Sequence, residues 1–249
     1  MIYFKLITNL DKIIYQQINH IFKLCTEHDH INYELPSFKE FSSYSELIIA
    51  QTQDELIGFI WNTDATLVEA FGMVCPKYRN QGVFTEMIVL LQKENAIKPL
   101  TFYGKSNYTL APACMSRLGF YKTQTELLMS FDKGNDKEWT DYVEEENEHS
   151  YYYIGDELIG HYSTLKTEHS ICIYDVFVYE KHRNKGYGKA LIKDFLWNYV
   201  NSGKEIILHV SSQNIPAIKC YQSCGFVIKE SIDYYAKKQY KRQPNEKRN

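Results

Sequence analysis

Ile171–Leu191 reads ICIYDVFVYEKHRNKGYGKAL. A β-branched and aromatic run, Ile171 to Tyr179, leads into a charged turn, Glu180 to Lys185. Then come Gly186-Tyr187-Gly188 and a helical pattern from Lys189 to Val200. The order is strand, glycine turn, helix. Two glycines let backbone N–H groups approach a ligand with no Cβ in the way. The helix behind them adds its unpaired first N–H groups and the positive end of its dipole. A corner of this kind binds phosphate. It is neither of two common phosphate loops. A dinucleotide fingerprint needs a small residue where Leu191 stands, and a P-loop needs Gly at Arg183 and Ser or Thr at Ala190.

The run Arg183-Asn184-Lys185-Gly186-Tyr187-Gly188 fits R/Q-x-x-G-x-G/A. In this it resembles the pyrophosphate-binding motif of the GNAT superfamily, the acetyl-CoA-dependent N-acyltransferases. The preceding Asp175-Val176-Phe177-Val178 resembles that family's fourth strand. Downstream, a buried-type strand over Ile206–Val210 precedes N-x-x-A-x-x-x-Y-x-x-x-G-F, with Asn214, Ala217, Tyr221, Gly225 and Phe226 in register. This resembles the superfamily's second signature. Together the two cover roughly Tyr151 to Tyr235.

Working outward, the same pattern occurs earlier in the chain. Asp54-Glu55-Leu56-Ile57-Gly58 returns as Asp156-Glu157-Leu158-Ile159-Gly160, and Arg79-Asn80-Gln81-Gly82 as Arg183-Asn184-Lys185-Gly186. Leu118-Gly119-Phe120 returns as Cys224-Gly225-Phe226. The offsets are 102, 104 and 106, in order and with little drift. We read a tandem duplication: an α/β fold class with α+β mixed sheets, in two acyl-CoA N-acyltransferase-like domains. The boundary is expected within Lys133–Asp136. It divides a diverged N-terminal domain, 1–133, from a C-terminal domain, 134–236, that carries the acetyl-CoA site. Residues 237–249 read as a basic, solvated tail. In the first copy Phe84 stands at the place of Gly188 and Met115 at that of Tyr221.

Composition narrows the setting. The 249 residues are 44% hydrophobic and 24% charged, enough for packed cores, and the formal net charge of −3 exerts no general pull on nucleic acid. No apolar run reaches the ~18 residues of a membrane span, and the N-terminus lacks the apolar region of a signal peptide. Six cysteines without a CxxC pair suit a cytoplasmic protein with reduced thiols. Cys25, His28 and His30 lack a fourth ligand and a metal-site spacing, so the His28-Asp29-His30 stretch reads as a solvated loop and no metal is expected.

The resemblance implies roles. Acetyl-CoA is the co-substrate. Phe177 and Val178 pair with its pantetheine arm. Arg183, Asn184, Lys185, Gly186, Tyr187, Gly188 and Lys189 hold its pyrophosphate, and Asn214 contacts the arm. Tyr221 matches the general acid that protonates the departing thiolate. The base is open between carboxylates. Asp175 or Glu180 at the strand end, or Glu69 on the equivalent earlier strand, takes the amine proton directly or through water. Equally, Asp175 suits binding of a cationic acceptor and Glu180 suits a solvated turn. The expected activity is acetyl transfer to a primary amine of a small molecule or peptide, by a monomer or homodimer. The alternatives are a non-catalytic CoA-binding sensor or partner module, and an acyltransferase that uses a longer acyl donor or forms an ester.

Overall fold

The computed structural model describes residues 1–41, 46–62, 68–95, 99–132, 148–167 and 169–237. The expected boundary at Lys133–Asp136 and the basic tail beyond Lys237 lie outside the described residues. The chain runs β1 (Tyr3–Ile7), α1 (Lys12–Asp29), α2 (Phe38–Phe41), β2 (Glu46–Gln51), β3 (Leu56–Asn62), β4 (Val68–Val74), α3 (Val83–Glu94), β5 (Leu100–Lys105), α4 (Leu110–Arg117) and β6 (Tyr121–Phe131). It continues as β7 (Glu148–Ile154), β8 (Glu157–Lys166), β9 (Ser170–Val178), α5 (Tyr187–Tyr199), β10 (Glu205–Ser211), α6 (Ile215–Ser223) and β11 (Phe226–Ala236). Short 3-10 turns, Pro76–Tyr78 and Glu180–His182, precede α3 and α5.

The chain packs as two compact units, Met1–Thr123 with the chain from Asp233, and Gln124–Ile232. In the first, the strand order is β1-β2-β3-β4-β5, and in the second it is β6-β10-β9-β8-β7 with β11 beside β6. These units do not coincide with the chain segments 1–133 and 134–236. The strand that closes the first half of the chain, β6, pairs antiparallel with β10 of the second unit, from Ile207 opposite Ser130 to Ser211 opposite Glu126. Backbone pairing follows which edge is open, and an edge can be filled from either half of a duplicated chain.

The first unit has two cores, one on each face of its sheet. On one face α3 buries Val83, Met87, Ile88 and Leu91 against Ile48, Ile57, Ile60 and Ala70. On the other, α1 buries Ile18, Ile21, Phe22 and Cys25 against Leu47, Ile49, Phe59, Trp61, Phe71 and Met73. With both faces covered, β3 is buried at every position and reads as a continuous apolar run. Asp11 caps α1 by accepting from Ile14 N–H at 2.8 Å. The helix runs through Asp29 rather than stopping near Cys25, so Asp29 is its last residue and not part of a solvated loop. In the second unit α5 and α6 bury Leu191, Ile192, Phe195, Ile218 and Tyr221 against Ile171, Ile173, Ile206 and Leu208. No described helix of that unit corresponds to α1.

The duplication holds bond by bond. Arg79 Nε donates to Val74 O and Arg183 Nε to Val178 O, each at 3.0 Å. Cys75 N–H donates to Ile57 O, and Tyr179 N–H to Ile159 O. Lys77 pairs with Glu55 at 2.6 Å, and Lys181 pairs with Glu157 in the same way. Asn80 and Asn184 have φ of 61° and 59°, while Gly82 and Gly186 have 78° and 86°. The hairpins carry matching irregularities after Ala50 and Tyr152.

One difference explains part of the drift in offset. In the first unit Trp61 pairs with Phe71 and Phe59 with Met73, in unbroken register. In the second, Ser163 pairs with Tyr174 but His161 with Phe177, so β9 carries one extra residue. It is a β-bulge at Asp175, whose φ is 50°.

The glycine that ends each Asp-Glu-Leu-Ile-Gly repeat lies under the strand that enters the turn. A Cβ on Gly160 would stand 2.2 Å from Phe177 O and 3.1 Å from Leu191 Cδ1, whereas on Gly58 it would meet Met87 Cε at 3.1 Å and Met73 O at 3.2 Å. Gly160→Ala is therefore expected to destabilise by at least ~1–3 kcal/mol and Gly58→Ala by less. Urea denaturation of the two variants checks the order.

Candidate active site

The turn between β9 and α5 is built to receive an anion. Asn184 and Gly186 take positive φ, which turns successive N–H groups to one side. Asn is among the few non-glycine residues that accept this conformation readily. The N–H groups from Asn184 through Lys189 donate to no backbone acceptor among the described residues, and the first bond into α5 is Ala190 N–H to Gly186 O. Gly188 stands in the first turn of the helix, and a Cβ there would meet only Cys220 Sγ, at 3.6 Å. Space beside it is therefore open, and α6 lies against the start of α5. Lys185 and Lys189 are exposed on the same turn. Arg183 is held at the strand end by its bond to Val178 O, with its guanidinium 5.5 Å from the centre of the Phe177 ring.

Strand β9 leaves its neighbour as it nears this turn. It pairs in parallel with β10 from Ser170 opposite Glu205 to Ile173 opposite Leu208, and no further. Beyond the bulge, the β10-facing edge of Val176, Phe177 and Val178 has no ladder partner among the described residues. Such an edge offers N–H and C=O groups to an extended ligand. The open edge, the turn and the start of α6 line one side of the unit.

The remaining candidates fall into place unevenly. Asn214 caps α6, its side chain accepting from Ala217 N–H at 3.3 Å. Tyr221 belongs to the core cluster and is 9% exposed, and its ring lies 6.2 Å from that of Phe226. Its hydroxyl has no hydrogen-bond partner among the described residues. Burial pushes the phenol up to about 12, with Cys220 adding to the effect. Ile215 is 51% exposed, because the helix begins one turn before its buried stripe. Glu180 is exposed in the 3-10 turn. Asp175 sits at the bulge, with its Oδ2 3.3 Å from His161 Nε2. His161 was not legible as a site residue. The drift of the repeat offset from 102 to 104, half of it due to the bulge, was the only signal of the bulge that brings Asp175 to it.

The equivalent turn of the first unit has the same backbone but different surroundings. The Arg79 guanidinium makes two bonds to Asp29, at 2.7 and 2.8 Å, and Tyr108 donates to the same carboxylate at 2.9 Å. The Asp29 side chain is 1% exposed. An internal carboxylate thus sits against the arginine of this turn. Phe84, at the place of Gly188, packs on Phe102 with ring centres 5.6 Å apart. Beside β5, the Tyr33 hydroxyl accepts from Lys105 N–H, and the Tyr33 ring lies 5.2 Å from Phe71. Side chains of the unit itself fill the places that stand open in the second.

Two copies of one mixed α/β unit, each with a strand running into a turn of free N–H groups at a helix start, define a tandem N-acyltransferase fold. Residues 118–226 match the sequence model of the acetyltransferase (GNAT) family. Mycothiol acetyltransferase of Corynebacterium efficiens is 35% identical over 85 residues. That match spans 33% of this chain and only 29% of that protein. Among solved structures, a GCN5-related N-acetyltransferase from Sphaerobacter thermophilus superposes with a TM-score of 0.70 at 15% identity, covering 94% of this chain and 95% of that one. A tandem GNAT protein from the clavulanic acid biosynthesis pathway superposes at 0.64 with 11% identity, covering 94% and 98%. At these identities the structures speak for the fold.

The Asp29 network makes a pH prediction. Burial raises the Asp29 carboxyl, but hydrogen bonds from Arg79, His28 and Tyr108 outweigh it and hold the group below the usual carboxylate range. A depressed carboxylate stabilises the fold above its unfolded value of ~3.9 and loses that contribution as pH falls toward the folded value. Asp29→Ala should cost about 3–5 kcal/mol at neutral pH, the usual cost of breaking a buried pair. The gap to wild type should narrow below about pH 4, as followed by urea denaturation across pH.

Proposed function

We propose that the protein is an N-acetyltransferase. It moves an acetyl group from acetyl-CoA to a primary amine, with the donor bound in the second unit. The observation that carries this reading is the pair of openings in that unit, the free N–H turn with Gly188 and the unpaired edge of β9. A pyrophosphate suits the first and the amide groups of a pantetheine arm suit the second. Acceptor identity and acyl-chain length are set by contacts outside these two openings, and fold alone names neither.

In this reading Asn184, Lys185, Gly186, Tyr187, Gly188 and Lys189 hold the pyrophosphate through backbone N–H groups. Arg183, Lys185 and Lys189 add positive charge. Phe177 and Val178 pair with the pantetheine arm, beside the cap residue Asn214. An N–H of the β9 edge faces the thioester oxygen, where negative charge develops. Tyr221 supplies the proton to the departing thiolate. Its raised value keeps it protonated at neutral pH, as an acid requires, and its unpartnered hydroxyl is free to act. The alternatives are a sensor that binds coenzyme A without chemistry, and a transferase for longer acyl chains.

Two outcomes test the reading. Gly188→Ala keeps the fold, because its Cβ meets nothing closer than 3.6 Å and alanine favours a helix. It should leave acetyl-CoA binding largely unchanged by calorimetry, as the G/A place of the motif implies, whereas Gly188→Phe should abolish it. Changes at Phe84 should leave binding intact. The wild type should release free thiol from acetyl-CoA with at least one member of a panel comprising amino acids, a diamine, an amino sugar, an aminoglycoside and a peptide. With that amine, Tyr221→Phe should lower kcat by ~10²–10⁴-fold at nearly unchanged acetyl-CoA affinity. Tight binding without thiol release on any amine would favour the sensor.

A further inference from the structure

We propose that Asp175 is the group that receives the proton from the acceptor amine, and that His161 is its positioning residue. This rests on the acetyl-transfer reading above. It begins from a comparison of the two units. In the first, α1 covers a sheet face made of Leu47, Ile49, Phe59, Trp61, Phe71 and Met73, all buried. Strand pairing maps that face onto His149, Tyr151, His161, Ser163, Tyr174 and Phe177 in the second. An all-apolar surface has become one with two histidines and a serine. His149 Nδ1 lies 2.6 Å from Ser163 Oγ, and Tyr151 is 59% exposed. A surface of this kind is not a core that lost its cover.

The bulge adds Asp175 to this face and has no counterpart in β4. Its φ of 50° places a non-glycine residue in the left-handed region, a conformation that is retained where it does work. The side chain is 57% exposed, within reach of a bound amine, and stands 3.3 Å from His161 Nε2. His161 is held in turn. Its ring stacks on Phe177 at 5.3 Å and 24°, and its Nδ1 is buried with no hydrogen-bond partner. A proton on Nδ1 would be an unpaired buried donor, which is costly. The proton therefore sits on Nε2, toward the carboxylate, at a separation that closes up when substrate is bound. Asp175 lies at the point where β9 leaves β10, beside the edge assigned to the thioester.

The proton balance is closed. The amine lone pair forms the N–C bond, and the nitrogen then gives one proton to Asp175. The C–S bond breaks with its electron pair on sulfur, and sulfur takes one proton from Tyr221. Solvent returns both residues to their starting state. Amine and thioester become amide and thiol.

Asp175→Asn is the decisive variant, because Asn tolerates the same φ and changes only the acid–base group. His161→Phe installs the residue that the first unit carries at that place and keeps the stack on Phe177. With the panel amine that the wild type turns over fastest, Asp175→Asn should lower kcat by ~10²–10⁴-fold while the dissociation constant of acetyl-CoA stays within twofold. His161→Phe should lower kcat by at least tenfold with little change in KM for the amine, and His161→Gln, which keeps a donor, should recover part of that loss. Nitrogen-15 spectra of the wild type should show His161 as its Nε2–H tautomer. An active Asp175→Asn protein, one that no longer binds acetyl-CoA, or an Nδ1–H tautomer each overturns the assignment while the transfer reading stands. A wild type inactive on every amine sinks the transfer reading and this role with it.

Discussion

A guanidinium bonded to the last carbonyl of a strand is the contact on which the rest of each unit depends. Arg183 Nε holds Val178 O, and Arg79 Nε holds Val74 O at the same distance. The bond ties the strand end to the residue at which the turn begins. The left-handed Asn and Gly of that turn then point its N–H groups one way, and the helix starts behind them. Without a fixed strand end, those N–H groups would have no defined origin to converge from. The preceding hairpin is tied to the same corner by a Lys–Glu pair, Lys77 with Glu55 and Lys181 with Glu157.

The two units apply one backbone device to different ends. In the first, the corner is closed from within: Asp29 pairs with Arg79, Phe84 stands where a glycine would, and Tyr33 bonds to the end of β5. A buried carboxylate is a reasonable partner for a site shaped around anions, and Tyr108 helps to satisfy it. In the second unit the corresponding places stay open. The same divergence runs over the neighbouring sheet face, apolar and covered by α1 in one unit, polar and aromatic in the other. A duplicated fold can in this way close one copy and leave its twin open, because the backbone bonds that define the fold do not involve the side chains that distinguish them.

In the second unit, strain and burial fall on the two residues to which we assign proton transfer. Asp175 holds a backbone conformation that costs free energy, and Tyr221, in a core cluster, keeps a hydroxyl without a partner among the described residues. Each is a departure from what packing alone would select. Residues that violate local rules are concentrated where function needs them.

Much of this was legible in the chain by itself, for a physical reason. Turn chemistry is local: Arg-Asn-x-Gly specifies left-handed residues at set places, and β-branched runs before it specify a strand. The repeat of these words at nearly constant offset determined that one unit occurs twice. Long-range placement was not legible. Nothing near Asp29 in sequence announces that Arg79 will reach it, so a buried helix end read as a solvated loop. The bulge at Asp175 showed only as part of the drift from 102 to 104 in the repeat offset, because a strand pattern does not reveal where its register slips. The pairing of β6 with β10, the burial of Tyr221 and the approach of His161 to Asp175 were decided by tertiary structure. They depend on which strand edges and helix faces meet, and that is settled by the packing of segments far apart along the chain.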